Sequence, residues 1–344
     1  MKRNKLVWIG PVLLIVGLVL MAVGFFCGAK VSVYVTSQGV ILEDGSLNQR
    51  TENQLEPFQN LDIQLENAEL RLIPSDHYGI DMCYYNKQYN PQFLLKDGTL
   101  TVRDNRQEDR DGSGWVLMNI DLLWNSRRNT VDIYYDASQK LEKVEINDGT
   151  GTVWIDGLQA GELTLDNDIG DITVKNMELG RLTLHQDIGL LIMKNNRIDH
   201  TELNKNTGEL SVDQLIGQEL KAEIEIGGMN FTACELERAE LDCTLGDAAM
   251  RQWSSNGLKV TSGNGSVDIQ GHLGGENRVD SNLGDVDIET DMPDAQYSLD
   301  IQTALGAITV DGAESAGNIA RKADTGHSIT VYAAAGNVDL SFNP

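Results

Sequence analysis

The sequence predicts an all-β protein: a single-stranded β-helix, or β-solenoid, with coils of about 19 residues, preceded by one N-terminal transmembrane helix. Three observations predict it. Gly151, Gly170, Gly189, Gly208, Gly227, Gly246, Gly265 and Gly284 follow one another at one constant interval, the mark of a stacked repeat. Two and four positions after each glycine stands an apolar pair, from Val153/Ile155 and Ile172/Val174 to Val286/Ile288. Residues 6–26 form an uncharged apolar run, long enough to cross a bilayer as a helix.

The elements follow in chain order. Residues 1–5 form a cytoplasmic tail, because Lys2, Arg3 and Lys5 precede the apolar run and only Lys30 follows it closely. The run at 6–26 is the membrane helix, with Trp8 and Phe25-Phe26 at its two interfaces. A cleaved signal peptide would have a shorter apolar core and small residues at its cleavage site, which Phe25-Phe26-Cys27 does not supply. Phe26 before Cys27 argues against a lipoprotein site in the same way. With either ending the large domain is exported, leaving a single-pass cell-membrane protein with its N-terminus in the cytoplasm. Gly24 and Gly28 have the G-x-x-x-G spacing of a helix-pairing face, which offers a homodimer through the membrane helix.

Residues 27–57 read as a polar stalk or lead-in with short strand-like runs, Val31 to Val35 and Val40 to Leu42. Residues 58–148 read as irregular N-terminal coils of the same solenoid, with strands at 61–63, 70–73, 80–82, 100–102 and 131–135 and a charged loop at 104–114. The regular repeat occupies 149–312. Within each apolar pair the residues are two apart with a polar residue between, the period of a strand with one buried face. A helical repeat would show i, i+3, i+4 spacing instead. A second pair, such as Leu163/Leu165 or Leu182/Leu184, follows twelve and fourteen positions after the glycine, so one coil is two strands and two corners.

The glycine stands at a corner, where it supplies a positive φ or a close backbone approach. The apolar residue just before it (Ile169, Ile188, Ile226, Leu245, Leu283) is expected to point inward, as is the residue seven after it (Leu158, Met177, Leu215, Cys234, Trp253). Stacked at about 4.8 Å, some ten coils make a rod on the order of 50 Å long. The register slips at Asp291-Met292-Pro293-Asp294, after which Gly306 with Ile308/Val310 resumes it. Residues 313–344 then read as C-terminal capping coils, because the open end of a stack must be protected from edge pairing.

Charge excludes several functions. The chain holds 27 basic and 52 acidic residues. Positions 1–30 hold four of the basic and none of the acidic side chains, so the exported part carries 23 against 52, a net −29. No nucleic acid and no anionic lipid surface is a partner for such a domain. The acids serve solubility, or the binding of basic peptides, cationic antimicrobials or calcium. Cys27, Cys83, Cys234 and Cys243 form no C-x-x-C framework; Cys234 and Cys243 are core thiols or a local disulfide.

Motifs for chemistry are missing from the sequence. His77, His185, His200, His272 and His327 have no metal-ligand spacing. Asp166 to Asp171 resembles a calcium loop, but the glycine falls one place early and position twelve is Met177. Gly263 to Ile269 echoes a calcium-binding β-roll nonapeptide once, without tandem copies. Acids follow the repeat glycine in alternate coils at Asp171, Glu209, Asp247 and Asp285, which avoids direct stacking of like charges. Polysaccharide-active β-helix enzymes build clefts from long mid-solenoid loops. The uninterrupted coils from 151 to 290 leave no room for one, so no catalytic, cofactor or metal residues are assigned. The site residues are the structural glycines Gly151, Gly170, Gly189, Gly208, Gly227, Gly246, Gly265, Gly284 and Gly306.

The segments Val131-Asp-Ile-Tyr-Tyr, Leu141 to Ile155 and Leu163 to Val174, with the recurring G-[DST]-[IV]-x-[IV] pattern, resemble the bacterial putative-adhesin β-solenoid family over 58–340. The resemblance implies a domain of unknown function behind a single membrane anchor at the cell envelope, without catalytic motif or cofactor. It implies a non-enzymatic role in surface interaction, adhesion, sensing or scaffolding, with an envelope protein or polymer as partner. The alternative is a structural, self-assembling solenoid that stacks end to end like bactofilins. A polysaccharide-active enzyme is the remaining class.

Overall fold

The computed structural model describes residue 17 and residues 31–36, 39–44, 47–85, 89–106, 115–119 and 128–343. The expected tail at 1–5, the expected membrane helix at 6–26 (Gly17 apart) and most of the charged loop lie outside the described residues. Among the described residues no helix is long and apolar enough to cross a membrane.

Among the described residues the strands follow in chain order as β1 to β28. The first ten are β1 (Val31–Thr36), β2 (Gly39–Asp44), β3 (Asn48–Glu52), β4 (Asn60–Leu65), β5 (Glu69–Ser75), β6 (Gly79–Tyr84), β7 (Tyr89–Lys96), β8 (Thr99–Arg106), β9 (Trp115–Asn119) and β10 (Thr130–Asp136). The regular coils comprise β11 (Leu141–Thr150), β12 (Val153–Asp156), β13 (Gln159–Ile169), β14 (Ile172–Lys175), β15 (Glu178–Ile188), β16 (Leu191–Thr207), β17 (Leu210–Ile226), β18 (Met229–Thr232), β19 (Glu235–Leu245), β20 (Ala248–Asn264), β21 (Val267–Leu283) and β22 (Val286–Thr290). The last six are β23 (Tyr297–Leu305), β24 (Ile308–Val310), β25 (Ala313–Glu314), β26 (Ile319–Arg321), β27 (His327–Ala335) and β28 (Val338–Phe342).

Each regular coil is a short strand, a corner and a long strand, which in β16, β17, β20 and β21 run together as one strand, and it pairs in parallel with the coil that follows it. Val153 faces Ile172, Ile172 faces Leu191, and Leu163 faces Leu182 in unbroken register. The apolar pairs therefore form continuous buried rows. More side chains point inward in each coil than the two pairs: Val153, Ile155, Leu158, Ala160, Leu163, Leu165 and Asn167 are all buried. The residues seven after each glycine (Leu158, Met177, Leu215, Cys234, Trp253) are buried as expected. The expectation for the residue before the glycine fails. Ile169, Ile188, Ile226, Leu245 and Leu283 are about half exposed. The inward alternation of the second pair ends two positions earlier, so the inward corner place goes to Asn167 and its equivalents.

Both ends of the stack are built out of chain order. At the N-terminal end, β4 and β5 pair in parallel with β11 and β12, and on their other side with β8 and β10. The strands reached first thus lie inside those reached later. Antiparallel strands close this end: β7 on β8, β6 on β10 and β3 on β6. Residues 48–52, read as stalk, are therefore an edge strand of the solenoid sheet. Strands β1, β2 and β9 form a separate antiparallel sheet.

The C-terminal end repeats the device. Strands β27 and β28 lie between β21–β22 and β23–β24, parallel to both. Strand β26 then covers β23 and β25 covers β24, both antiparallel. The expected cap at 313–344 accordingly divides in two: β25 and β26 sit at the edge, while 327–342 is an inner coil. Its apolar pair Val338/Leu340 is fully buried, which needs a coil on each side.

Candidate functional site

The most constrained feature of the surface is the glycine corner. All the glycines assigned from sequence lie in one row, which Ala68 continues at the N-terminal end. At the other end the order is Gly284, Gly336, Gly306, so Gly336 belongs to the row although the irregular spacing hid it. From Gly170 onward their φ angles lie between 121° and 158°, a region side-chain-bearing residues avoid. Space is the stricter limit. A Cβ at Gly170 would fall on the Gly151 carbonyl oxygen, and one at Gly208 on that of Gly189, far inside contact distance.

Inside this corner runs a largely polar row: Asp148, Asn167, Gln186, Lys205, then Ile224, Cys243, Ser262 and Ser281, all buried. Its polar members satisfy the glycine carbonyls that the turn leaves without a strand partner. Asn167 Nδ2 donates to Gly151 O at 3.3 Å and Gln186 Nε2 to Gly170 O at 2.5 Å. The Lys205 ammonium donates to Gln186 Oε1 at 2.6 Å and to Gly189 O. Ser262 Oγ donates to Gly265 O at 3.1 Å. Cys243 Sγ lies 3.5 Å from Gly227 O, and Cys234 and Cys243 are free thiols whose burial pushes them up to about 11.

Two further ionisable groups are buried in the row. Burial draws the Lys205 ammonium down to about 8, with Asp171 opposing. Burial pushes the Asp148 carboxyl up to about 7, the charge of Asp104 adds to the rise, and the hydrogen bond from Asn167 opposes it. Asp148 Oδ1 and Asn167 Oδ1 are buried without a hydrogen-bond partner. Asp104, expected in the charged loop, is instead a buried residue of β8. It accepts from Glu66 N at 2.6 Å, Asn67 N at 3.3 Å and the Tyr84 hydroxyl at 3.0 Å. Burial raises both Asp104 and Tyr84.

Outside the corner two features stand side by side. One is an apolar ridge: Ile169, Ile188, Ile226, Leu245, Leu283 and Leu305, between 46% and 73% exposed. The other is the set of acids after the glycines, whose role sequence reasoning missed. Asp171 Oδ1 accepts from Leu190 N at 2.9 Å, Asp247 Oδ1 from Ser266 N at 2.8 Å and Asp285 Oδ1 from Asn337 N at 2.7 Å. Each caps a backbone donor in the next coil, and Asn337 Oδ1 caps Ala307 N in the same way at 3.0 Å.

The second corner, six positions after the glycine, is looser. Asn176, Asn195, Gln214, Ala233 and Gln252 all hold left-handed φ angles of 50° to 59° near there. Asn195 Nδ2 donates to Asn176 Oδ1 at 2.7 Å, and Asn176 Nδ2 to Asp156 Oδ1 at 2.6 Å.

The histidines stay scattered; His185 pairs with Asp187, His200 with Glu219 and His272 with Asp291. Among the described residues no cluster of three His, Cys, Asp or Glu side chains is placed to hold a metal ion.

The Toastrack DUF4097 family model matches residues 58–341. No curated protein matches the chain. Among solved structures, a putative cell adhesion protein from Clostridium sporogenes is similar at 10% identity and a TM-score of 0.30, over 86% of this chain and 99% of that one. A putative adhesin from Parabacteroides distasonis is similar at 9% identity and a TM-score of 0.44, over 86% and 98%. A putative lipid binding protein from the same organism is similar at 11% and 0.44, over 86% and 97%.

Proposed function

Because the chain belongs to the Toastrack DUF4097 family, we propose that it is a non-enzymatic interaction module of the bacterial cell envelope, held at the membrane by residues 6–26 with its solenoid outside. The observation that supports this most is the closure of both ends. Strands β3, β6 and β7 cover one end of the stack and β25 and β26 the other, all antiparallel to the coils. What remains for a partner is the lateral surface, whose rows of side chains are held in register over the whole stack. Surface interaction, adhesion, sensing or scaffolding all use such a surface; end-to-end growth in the coils' own parallel register would need a coil rather than an antiparallel strand at each end.

The anchor rests on the apolar run and the basic residues before it. Protease added to intact protoplasts should digest the solenoid and spare residues 1–5; full protection of the solenoid would overturn the orientation. Crosslinking in cells with photoreactive residues placed along the lateral rows should capture an envelope partner. Crosslinks only at β7, β25 or β26 between copies of this chain would favour end-to-end stacking instead.

A further inference from the structure

The exposed ridge is the feature that the fold does not explain. A solenoid corner needs an inward residue and a capped backbone, and the polar row and the aspartates supply both. The aliphatic side chains at Ile169, Ile188, Ile226, Leu245, Leu283 and Leu305 add nothing to either, yet they stand about half exposed or more along the stack. Thr207 and Asn264 occupy the same row in register, so the position itself tolerates polar residues. Beside the ridge the glycines present bare backbone. Near the N-terminal end the two together line a shallow depression in which Thr150, Gly151, Ile169, Gly170 and Asp171 face Arg128, a cation already paired with Glu69.

The flanks of the ridge specify its occupant. On the side before it stand Asp168, Asp187 and Glu225; on the side after it stand Asp171, Glu209, Asp247 and Asp285. In the corners from 168 to 285 no lysine or arginine occupies the ridge or either flank. Lys205, the cation nearest to these positions in sequence, is buried inside the corner. A second copy would bring the same acids against these, and an anionic bilayer would be repelled likewise.

We propose that the glycine-corner ridge is a docking surface for a cationic amphipathic polypeptide segment, whose apolar stripe lies along the ridge and whose lysines or arginines meet the acidic flanks. Both components are needed. Charge gives attraction at a distance and sensitivity to salt, while the aliphatic rungs give contact area that leaves water on binding. The inference rests on the lateral-surface reading and names the part of that surface used.

The test uses the full-length chain in phosphatidylcholine nanodiscs and two fluorescent probe peptides of equal length and charge. One alternates leucine with lysine and the other serine with lysine. Native protein should bind the leucine–lysine peptide at least about tenfold tighter than the serine–lysine peptide. Ile188→Thr, Ile226→Thr and Leu245→Thr together adopt the residue already present at 207, so the fold is kept, which circular dichroism checks. In this variant the discrimination should vanish, with the nanodisc background unchanged. Glu209→Gln with Glu225→Gln should weaken both peptides and flatten the salt dependence. Equal binding of the two peptides by native protein, or undiminished binding by the threonine variant, would overturn the ridge. So would a native dimer that the threonine variant abolishes, since the occupant would then be a second copy. Partner crosslinks on other lateral rows would remove the ridge and leave the lateral reading standing; crosslinks only at the ends would remove both.

Discussion

The two corners of each coil both turn the chain but are constrained by different physics. At the glycine corner the backbones of successive coils approach so closely that no Cβ fits. At the other corner most coils need a left-handed φ but leave space open, and asparagine, glutamine and alanine occupy it, although Gly271 in the Gly265 coil is closed in by the Trp253 carbonyl oxygen. The interiors differ too. The glycine corner encloses a polar row that caps carbonyls, whereas the other encloses Leu158, Met177, Leu215, Cys234 and Trp253, with Asn196 as its polar member. A constraint of space admits one residue type and shows in the sequence as invariance along the repeat. A constraint of angle admits several, and shows only as a bias.

The largest effect that would break this distinction is a methyl group. Gly208→Ala or Gly227→Ala should cost about 4 kcal/mol or more, because adjacent coils must separate to admit the Cβ. Gly157→Ala, at the looser corner with φ of 70° and the nearest atom to its Cβ at 3.7 Å, should cost only the ~1–2 kcal/mol of a left-handed alanine. Comparable losses at the two corners in chemical denaturation would sink the argument from space.

Next in size is the polar interior. Asp148 ionises near 3.8 when unfolded and at about 7 when folded. Between these values the unfolded chain binds fewer protons, so the contribution of this group to stability is full below about pH 4 and is lost as the pH rises towards 7. Asp148→Asn, which copies Asn167 one coil on, should stabilise the protein by ~2–4 kcal/mol at pH 8 and by almost nothing at pH 4. A pH-independent effect would show that the carboxyl is not held neutral by its surroundings.

The acidic caps come third. Asp247→Ala should cost about 1 kcal/mol by leaving Ser266 N–H without its acceptor, while Asp247→Asn, which keeps an oxygen, should cost less. Equal losses from the two variants would assign the effect to charge instead. The smallest change sharpens the second corner. Ala233→Gly should stabilise by ~0.5–1 kcal/mol, the relief of a left-handed alanine set against the extra chain entropy of glycine. Hydrogen exchange at the neighbouring amides of β18 and β19 would localise it.

This contrast also explains what is legible in the sequence. The glycine row and the buried pairs are readable because their spacing repeats without error from Gly151 to Gly284. The polar row is hidden because Asn167, Gln186 and Lys205 sit in polar stretches that look like surface, although each continues the inward alternation of the pair before it. Ile169 and its equivalents mislead for the converse reason: an apolar residue beside a buried row reads as core. The placement of β27 and β28 is unreadable in principle. Val338 and Leu340 announce a coil, but nothing in one coil states which two others it lies between. The ridge as a surface follows from no motif; it needs the direction of its side chains.

That placement has a consequence for how the protein is made. A solenoid whose coils followed chain order could fold from its beginning as it is synthesised, each coil docking on the last. Here β21 and β22 must wait while the strands of 297–321 pass, until 327–342 arrives and closes the gap. Until then the stack carries an unfilled slot with unpaired backbone on both walls. A chain cut short at about residue 325 would lose less than a tenth of its sequence, yet it would keep that slot open for good. Such a product should be cleared by proteases far more readily than its small deletion suggests.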